Sequence, residues 1–203
     1  SVRWVDVNKG DELSPNYRSR LVARQIKALD HSGQSYFAPA PPLEALRTVI
    51  SLAAPTIGDH RPDWGPRSPT RTQLSFIDVS RAYFNAKIHD DDEPTYVELP
   101  PEDPDHADMC ARLRRHMYGT RMAADGWQEE YSSFLVETLG FVQGLSSPCV
   151  FRHPERQLMV SVHGDDFTTA GACNDLDWFD AAVLSDQMGR QMGQQMQQIL
   201  TRR

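Results

Sequence analysis

A chain of 203 residues, 39% apolar and 9% aromatic, holds enough for one packed domain or two subdomains sharing a core. No apolar run reaches the ~18 residues of a membrane span, and three cysteines and seven histidines without C-x-x-C or H-E-x-x-H spacing argue against a disulfide framework and against zinc. The net charge of −7 excludes a uniformly basic surface, but its distribution is uneven: acid gathers in "HDDDEPTYVELPPEDPDHAD" (89–108), while "YRSRLVARQIK" (17–27) and "RLRRHMYGTR" (112–121) are basic and contain no acid.

The opening "SVRWVDVNKG" has no apolar signal-peptide core and no initiator Met, as expected of a piece of a longer intracellular protein with reduced thiols. "VRWVDV" and "YRSRLVAR" predict two strands joined by the turn-rich "NKGDELSPN". In the second strand side chains alternate between faces. Arg18, Arg20 and Arg24 form a guanidinium ladder on one face, with Leu21 and Ala23 on the other; a soluble edge strand would show the same pattern.

"PPLEALRTVISLAA" (41–54) predicts a helix with Pro42 in its first turn and an apolar stripe of Leu43, Leu46, Ile50 and Ala53. Residues 55–71, rich in Pro, Gly and Arg, read as a loop or insertion. A strand ending near Asp78 follows, then the short strand "TYVEL". A helix is predicted over 125–140, with Asp125 as N-cap, Gln128 completing a capping box and Gly140 as the stop. Its inner face would carry Trp127, Tyr131, Phe134, Leu135 and Thr138. "CVFRH", the turn "PERQ" and "LMVSVHGDDFTTAG" supply strands. The Gln- and Met-rich "SDQMGRQMGQQMQQILTRR" (185–203) reads as a frayed helix or disorder. Strands and helices interspersed without βαβ alternation predict an α+β fold.

Within "VSVHGDDFTTAG", Gly164-Asp165-Asp166 reads first as a turn with two solvated carboxylates. The strands around it look buried, however, and a second apolar strand, "LSFIDVS", also ends in an aspartate. Two unit charges about 4 Å apart repel by roughly 4 kcal/mol at an effective dielectric near 20. A divalent cation relieves that repulsion, and hard oxygen donors suit Mg²⁺. If neighbouring strands bring Asp78 beside Asp165 and Asp166, the three carboxylates form a site suited to phosphoryl transfer.

At this point the chain resembles the reverse transcriptase domain of copia-type retrotransposon polyproteins. The resemblance runs over roughly residues 2–180 and rests on "YRSRLVAR", "YFAPAPPLEALRTVISLAA", "FIDVSRAYFNAKI", "MYGTRMAADGWQEEYSSFLVETLGF", "SSPCVF" and "VSVHGDDFTTAG", in the family's order. It implies a fingers–palm polymerase fragment with an antiparallel palm sheet packed on helices: residues 1–72 fingers-like, 73–184 palm, and 185–203 a tail. It implies that Asp78, Asp165 and Asp166 are catalytic and hold two Mg²⁺ ions, or Mn²⁺, with the Val79 carbonyl as a further ligand. Arg18 and Arg20 would face the triphosphate of an incoming deoxynucleotide, Tyr83 would crowd out a 2′-hydroxyl, and Arg121 would lie near nucleotide or template. Arg112, Arg114 and Arg115 are surface charges on the plainer reading. The implied partners are an RNA or DNA template with its primer, dNTPs, and the polyprotein's thumb and ribonuclease H segments, which this chain lacks; no membrane is implied. The chain departs from the family pattern at Met122 (usually Gln), at Ala124-Asp125 (usually Pro-Arg) and at His163-Gly164 (usually an aromatic and Val). Two other readings are an inactive relic domain with residual nucleic-acid binding and, from Gly-Asp-Asp alone, an RNA-dependent RNA polymerase.

Overall fold

The alternation of β-branched and charged residues in "VRWVDVN" and "YRSRLVA" produces β1 (Val2–Asn8) and β2 (Tyr17–Ala23), an antiparallel hairpin pairing Val2 with Ala23 and Asn8 with Tyr17. A computed structural model describes residues 1–25, 38–54, 72–185 and 200–202, the last three by backbone alone. The loop predicted over 55–71 lies outside the described residues, and so does most of the 185–203 tail.

The remaining elements in chain order are α1 (Leu43–Leu52), β3 (Thr72–Asp78), α2 (Ala82–Asn85), β4 (Tyr96–Glu98), β5 (Cys110–Leu113) and α3 (Ala123–Ser133). A π-helical turn over Phe134–Thr138 follows, then β6 (Val142–Gln143), β7 (Val150–Arg152), β8 (Met159–His163), β9 (Asp166–Ala172), α4 (Cys173–Ser185) and β10 (Leu200–Arg202). All strand pairings are antiparallel, so the fold is mixed α and β with antiparallel sheets. Among the described residues no helix is long and apolar enough to cross a membrane. The three cysteines are free.

Contacts sort the chain into two units that interleave along the sequence. The first comprises 1–37, 83–127 and 193–203, the second 38–82 and 128–192. This differs from a division by order along the chain, because α1 belongs with β3 and the β7–β9 strands.

In the first unit, the β1–β2 hairpin accompanies a three-stranded sheet ordered β10-β5-β4. Ala23, Val97, Leu99, Ala111, Leu113 and Met117 form its buried core, with Leu21, Phe84 and Ile88 packed against it. Asn8 and Asp11 organise the hairpin loop: the Asn8 side-chain oxygen accepts the Gly10 and Asn16 amides, and that of Asp11 accepts those of Leu13 and Ser14.

In the second unit, five strands run in the order β3-β9-β8-β7-β6. The central strands are buried as their composition predicts, with Val160, Val162, Phe167, Thr169 and Ala170 almost without exposure. The register puts Phe151, Val160, Val162, Phe167, Thr169, Ser75 and Ile77 on one face. Tyr131 covers that face, its ring edge-on to Phe151 at 6.0 Å and to Phe167 at 5.9 Å. On the same face the Ser75 hydroxyl donates to both carboxylate oxygens of Asp180 on α4, at 2.7 and 2.8 Å. Each such buried aromatic contributes roughly 1.5–3 kcal/mol through apolar surface removed from water.

The helices correct the sequence reading in detail. Pro42 is the N-cap of α1 rather than a first-turn residue: its backbone is non-helical and its carbonyl accepts the Ala45 amide. Val49 is the fully buried residue of α1, flanked by half-buried Ala45, Leu46 and Ala53, while Leu43 and Ile50 are exposed. Leu46, Val49 and Ala53 follow the same helical spacing as the predicted stripe, and packing on the sheet selects the one through Val49. α3 begins two residues early, so Asp125 lies inside its first turn, where it favours the positive end of the helix dipole, rather than capping it. Trp127, Tyr131, Phe134 and Leu135 are buried as expected, but Thr138 is exposed. The π turn, closed by the Leu139 amide on the Phe134 carbonyl, inserts an extra residue and rotates Thr138 off the inner face. Gly140 ends the segment with φ of 77°, a left-handed stop. β5, the two-residue β6, α4 and β10 had no counterpart in the sequence reading, and β10 (Leu200–Arg202) is a strand within the tail read as a frayed helix or disorder.

Candidate active site

The two acidic signals meet on the second unit's sheet. β3 pairs with β9, and the register sets Asp78 directly opposite Asp166. Residues opposite one another in an antiparallel ladder share a face. Asp78 and Asp166 therefore project from the same face, the one turned away from Tyr131 and the Ser75–Asp180 contact.

The turn between β8 and β9 is as short as a hairpin allows. His163 pairs with Asp166, leaving Gly164-Asp165 as the two-residue loop. Gly164 takes φ of 63°, while Asp165 is not among the residues with positive φ. Positive φ at the first loop residue alone, occupied by glycine, is the signature of a type II′ turn, whose twist matches the flanking strands. The loop is also tied to β3: the Val79 amide donates to the Asp165 carbonyl at 2.9 Å. Val79 is buried, whereas the Asp78, Asp165 and Asp166 side chains are exposed at this end of the sheet.

His163 completes a row. It stands opposite Asp166, which stands opposite Asp78, so three neighbouring strands present His163, Asp166 and Asp78 side by side. The sequence reading treated His163 only as a departure from the family pattern. The rule that residues i and i+3 oppose one another across a two-residue hairpin would have placed it.

Three carboxylates on one rim suit a hard cation. Mg²⁺ keeps several waters and binds through one or two carboxylates plus substrate phosphates rather than in an all-protein cage. Among the described residues no group of three or more His, Cys, Asp or Glu side chains is arranged so that it could hold a metal ion. By donor type Asp78, Asp165 and Asp166 suit Mg²⁺, and the register sets two of them, Asp78 and Asp166, opposite each other.

The other sequence-predicted residues belong to the first unit. Arg18 and Arg20 are exposed on β2, two residues apart and so on one face, opposite to half-buried Leu21 and buried Ala23. The Arg20 guanidinium lies 5.7 Å from the centre of the Tyr118 ring. Tyr83 on α2 meets the same ring at 4.5 Å, tilted by 38°. Arg121 is half-buried, and its amide donates to the Gln25 side-chain oxygen at 2.9 Å.

Arg115 corrects the surface-charge reading. It is buried, and its guanidinium donates to the carbonyls of Asn85 at 2.7 Å and Phe84 at 3.5 Å. These are carbonyls at the end of α2, where a cation satisfies acceptors that the helix leaves unpaired. Arg114, by contrast, is exposed and Arg112 half-buried. Nothing local in "RLRRHM" distinguishes the three; the distinction arises only when α2 packs against the segment after β5.

The family described as reverse transcriptase (RNA-dependent DNA polymerase) matches residues 1–187. The Retrovirus-related Pol polyprotein from transposon RE2 of Arabidopsis thaliana is 27% identical over 178 residues, 83% of this chain and 11% of its own length. Its counterpart from transposon RE1 of the same plant is 26% identical over 178 residues, with the same coverage. That from transposon TNT 1-94 of Nicotiana tabacum is 26% identical over 179 residues, 83% of this chain and 12% of its own. The chain thus spans about a tenth of the length of these relatives. No solved structure matches it.

Proposed function

Because the chain belongs to the reverse transcriptase (RNA-dependent DNA polymerase) family, we propose that it is the fingers–palm portion of a copia-type retrotransposon reverse transcriptase. Its reaction would be RNA-directed DNA synthesis. The 3′-hydroxyl of a primer attacks the α-phosphate of a dNTP, a new phosphodiester bond forms, and pyrophosphate leaves. The observation that carries this reading is the register of Asp78 against Asp166, with Asp165 in the turn beside them.

In this reading Asp78, Asp165 and Asp166, with the Val79 carbonyl, hold two Mg²⁺ ions, for which Mn²⁺ can substitute. When bound, the ions lower the cost of charge on the attacking and leaving oxygens. The protein's part is placement and a fixed electrostatic environment. The type II′ turn and the Val79–Asp165 hydrogen bond hold the acidic rim in one shape before substrate arrives. Arg18 and Arg20 take the triphosphate oxygens, where planar guanidinium groups donate in pairs. Tyr83 lies under the sugar and crowds out a 2′-hydroxyl, and Arg121 contacts nucleotide or template. The five-stranded sheet with its helices is the palm and the β1–β2 hairpin part of the fingers. The thumb and ribonuclease H segments of a longer polyprotein complete the enzyme.

The experiment is primer extension on a primed RNA template with dNTPs and Mg²⁺, using the chain joined to its natural flanking segments. The expected result is extension by the wild type and its loss in Asp165→Asn. Equal extension by both would remove Asp165 from the site. A relic domain is favoured by Met122, which stands where the family carries an amide donor; it predicts template binding without extension by the wild type.

A further inference from the structure

The first unit joins two of the proposed nucleotide contacts through a third side chain. Tyr118 follows the buried segment Arg115–Met117, and its backbone is tied to the end of β2. The Ala23 amide donates to the Tyr118 carbonyl at 2.8 Å, and the Gln25 amide donates to the Gly119 carbonyl at 3.2 Å. The Arg121 amide closes the same zipper on the Gln25 side chain. Tyr118 therefore stays in register with the strand that carries Arg18 and Arg20.

Its half-buried ring has three neighbours from two elements. Tyr83 meets it at 4.5 Å with the rings tilted by 38°, Phe84 meets it edge-on at 5.5 Å with an 82° interplanar angle, and the Arg20 guanidinium lies 5.7 Å from its centre. An edge-to-face contact and a cation over the ring are favourable geometries for an aromatic quadrupole, and the tilted Tyr83 ring adds a close aromatic contact. α2 itself is held from its other end by Arg115 on the Phe84 and Asn85 carbonyls. The ring of Tyr118 is in contact with both Arg20 and Tyr83.

We propose that Tyr118 is the positioning residue that fixes Arg20 and Tyr83 relative to each other, and so couples triphosphate binding to rejection of the 2′-hydroxyl. This rests on the assignment of Arg20 and Tyr83 to the nucleotide. The contacts with Tyr83, Phe84 and Arg20 are made by the ring, so phenylalanine keeps them.

The test uses the chain with its natural flanking segments and compares wild type, Tyr118→Phe, Tyr118→Leu and Tyr118→Ala. The readouts are primer extension with dTTP or UTP, giving KM and kcat for each, and equilibrium binding of the same two nucleotides. Tyr118→Phe is expected to keep the wild-type preference for dTTP. Loss of the ring in Tyr118→Leu is expected to raise KM for dTTP and to reduce the dTTP/UTP preference, each by roughly two- to tenfold, with a smaller change in kcat. Combining Tyr118→Leu with Tyr83→Ala should cost no more preference than Tyr83→Ala alone, because the two act through one arrangement. If Tyr118→Ala fails to fold, Tyr118→Leu keeps the apolar bulk and decides the matter. A folded Tyr118→Leu with the wild-type dTTP/UTP ratio overturns the role of Tyr118 while leaving the polymerase reading intact. A wild type that neither extends primers nor binds dTTP overturns both.

Discussion

Replacing Asp166 by asparagine should stabilise the metal-free protein. Asp166 and Asp78 are directly opposed across the β3–β9 ladder, where Cβ atoms lie about 4.5–5.5 Å apart and like charges destabilise. Both are exposed, so the high-dielectric end of Coulomb's law applies, giving a repulsion of about 0.8 kcal/mol at about 5 Å. For a protein of this size, such a change moves Tm by about 2–4 °C. The asparagine keeps the shape and removes the charge. The assay is thermal unfolding in chelator at an ionic strength of about 0.01 M and again at about 1 M, where the Debye length shrinks from about 30 Å to about 3 Å. Asp166→Asn should melt higher than wild type at low salt, and the difference should fade at high salt. No gain at low salt, or a gain that salt leaves untouched, would mean that the carboxylates do not feel one another and that the argument from register is mistaken.

Other expectations concern the frame around the site. Phe151→Ala removes a fully buried ring and one of Tyr131's edge contacts; it should cost about 3–5 kcal/mol in urea unfolding. Arg115→Ala leaves the Phe84 and Asn85 carbonyls without their guanidinium donor and should cost about 1–3 kcal/mol by the same measurement, with Arg115→Lys recovering only part. Burial raises the pKa of both the Tyr131 hydroxyl and the Cys149 thiol above their ordinary values, so the folded state favours their neutral forms. Their contribution is whole below the unfolded values of about 8.5 for the thiol and about 10 for the hydroxyl, and declines as pH rises past them. The unfolding free energy should therefore fall on the alkaline side, and Tyr131→Phe should flatten the part above about pH 10.

What the sequence disclosed was local. The β1–β2 hairpin and the Gly164 turn are written in alternation and in one glycine, and the structure reproduces them. Gly140 is a stop because only its missing Cβ tolerates that backbone cheaply. α4 was not legible: "CNDLDWFDAAVLS" scatters Asp175, Asp177 and Asp180 among its apolar residues, and half-buried Asp180 accepts a hydrogen bond from Ser75 on β3. The π turn was equally hidden, since a one-residue change of phase leaves no local mark. The burial of Arg115 and the meeting of Tyr83 with Tyr118 depend on α2 packing against a segment some thirty residues further along the chain. The pairing of β3 with β9 joins residues on either side of three other strand pairings, β4–β5, β6–β7 and β7–β8. Periodicity cannot choose such a partner; two apolar strands each ending in aspartate raised it as a condition, and the order of sequence blocks resembling copia-type reverse transcriptases supported it. The family match bears out that resemblance.

The account rests on one metal-binding rim shared by β3 and the β8–β9 hairpin. The most direct measurement is Mn²⁺ binding followed by electron paramagnetic resonance in the presence of dTTP, for wild type, Asp78→Asn, Asp166→Asn and, as a control on α4, Asp177→Asn. The account predicts that Asp78→Asn and Asp166→Asn each weaken binding by about tenfold or more, because each removes a charged oxygen ligand, while Asp177→Asn binds as wild type does. Wild-type affinity in Asp78→Asn would contradict it.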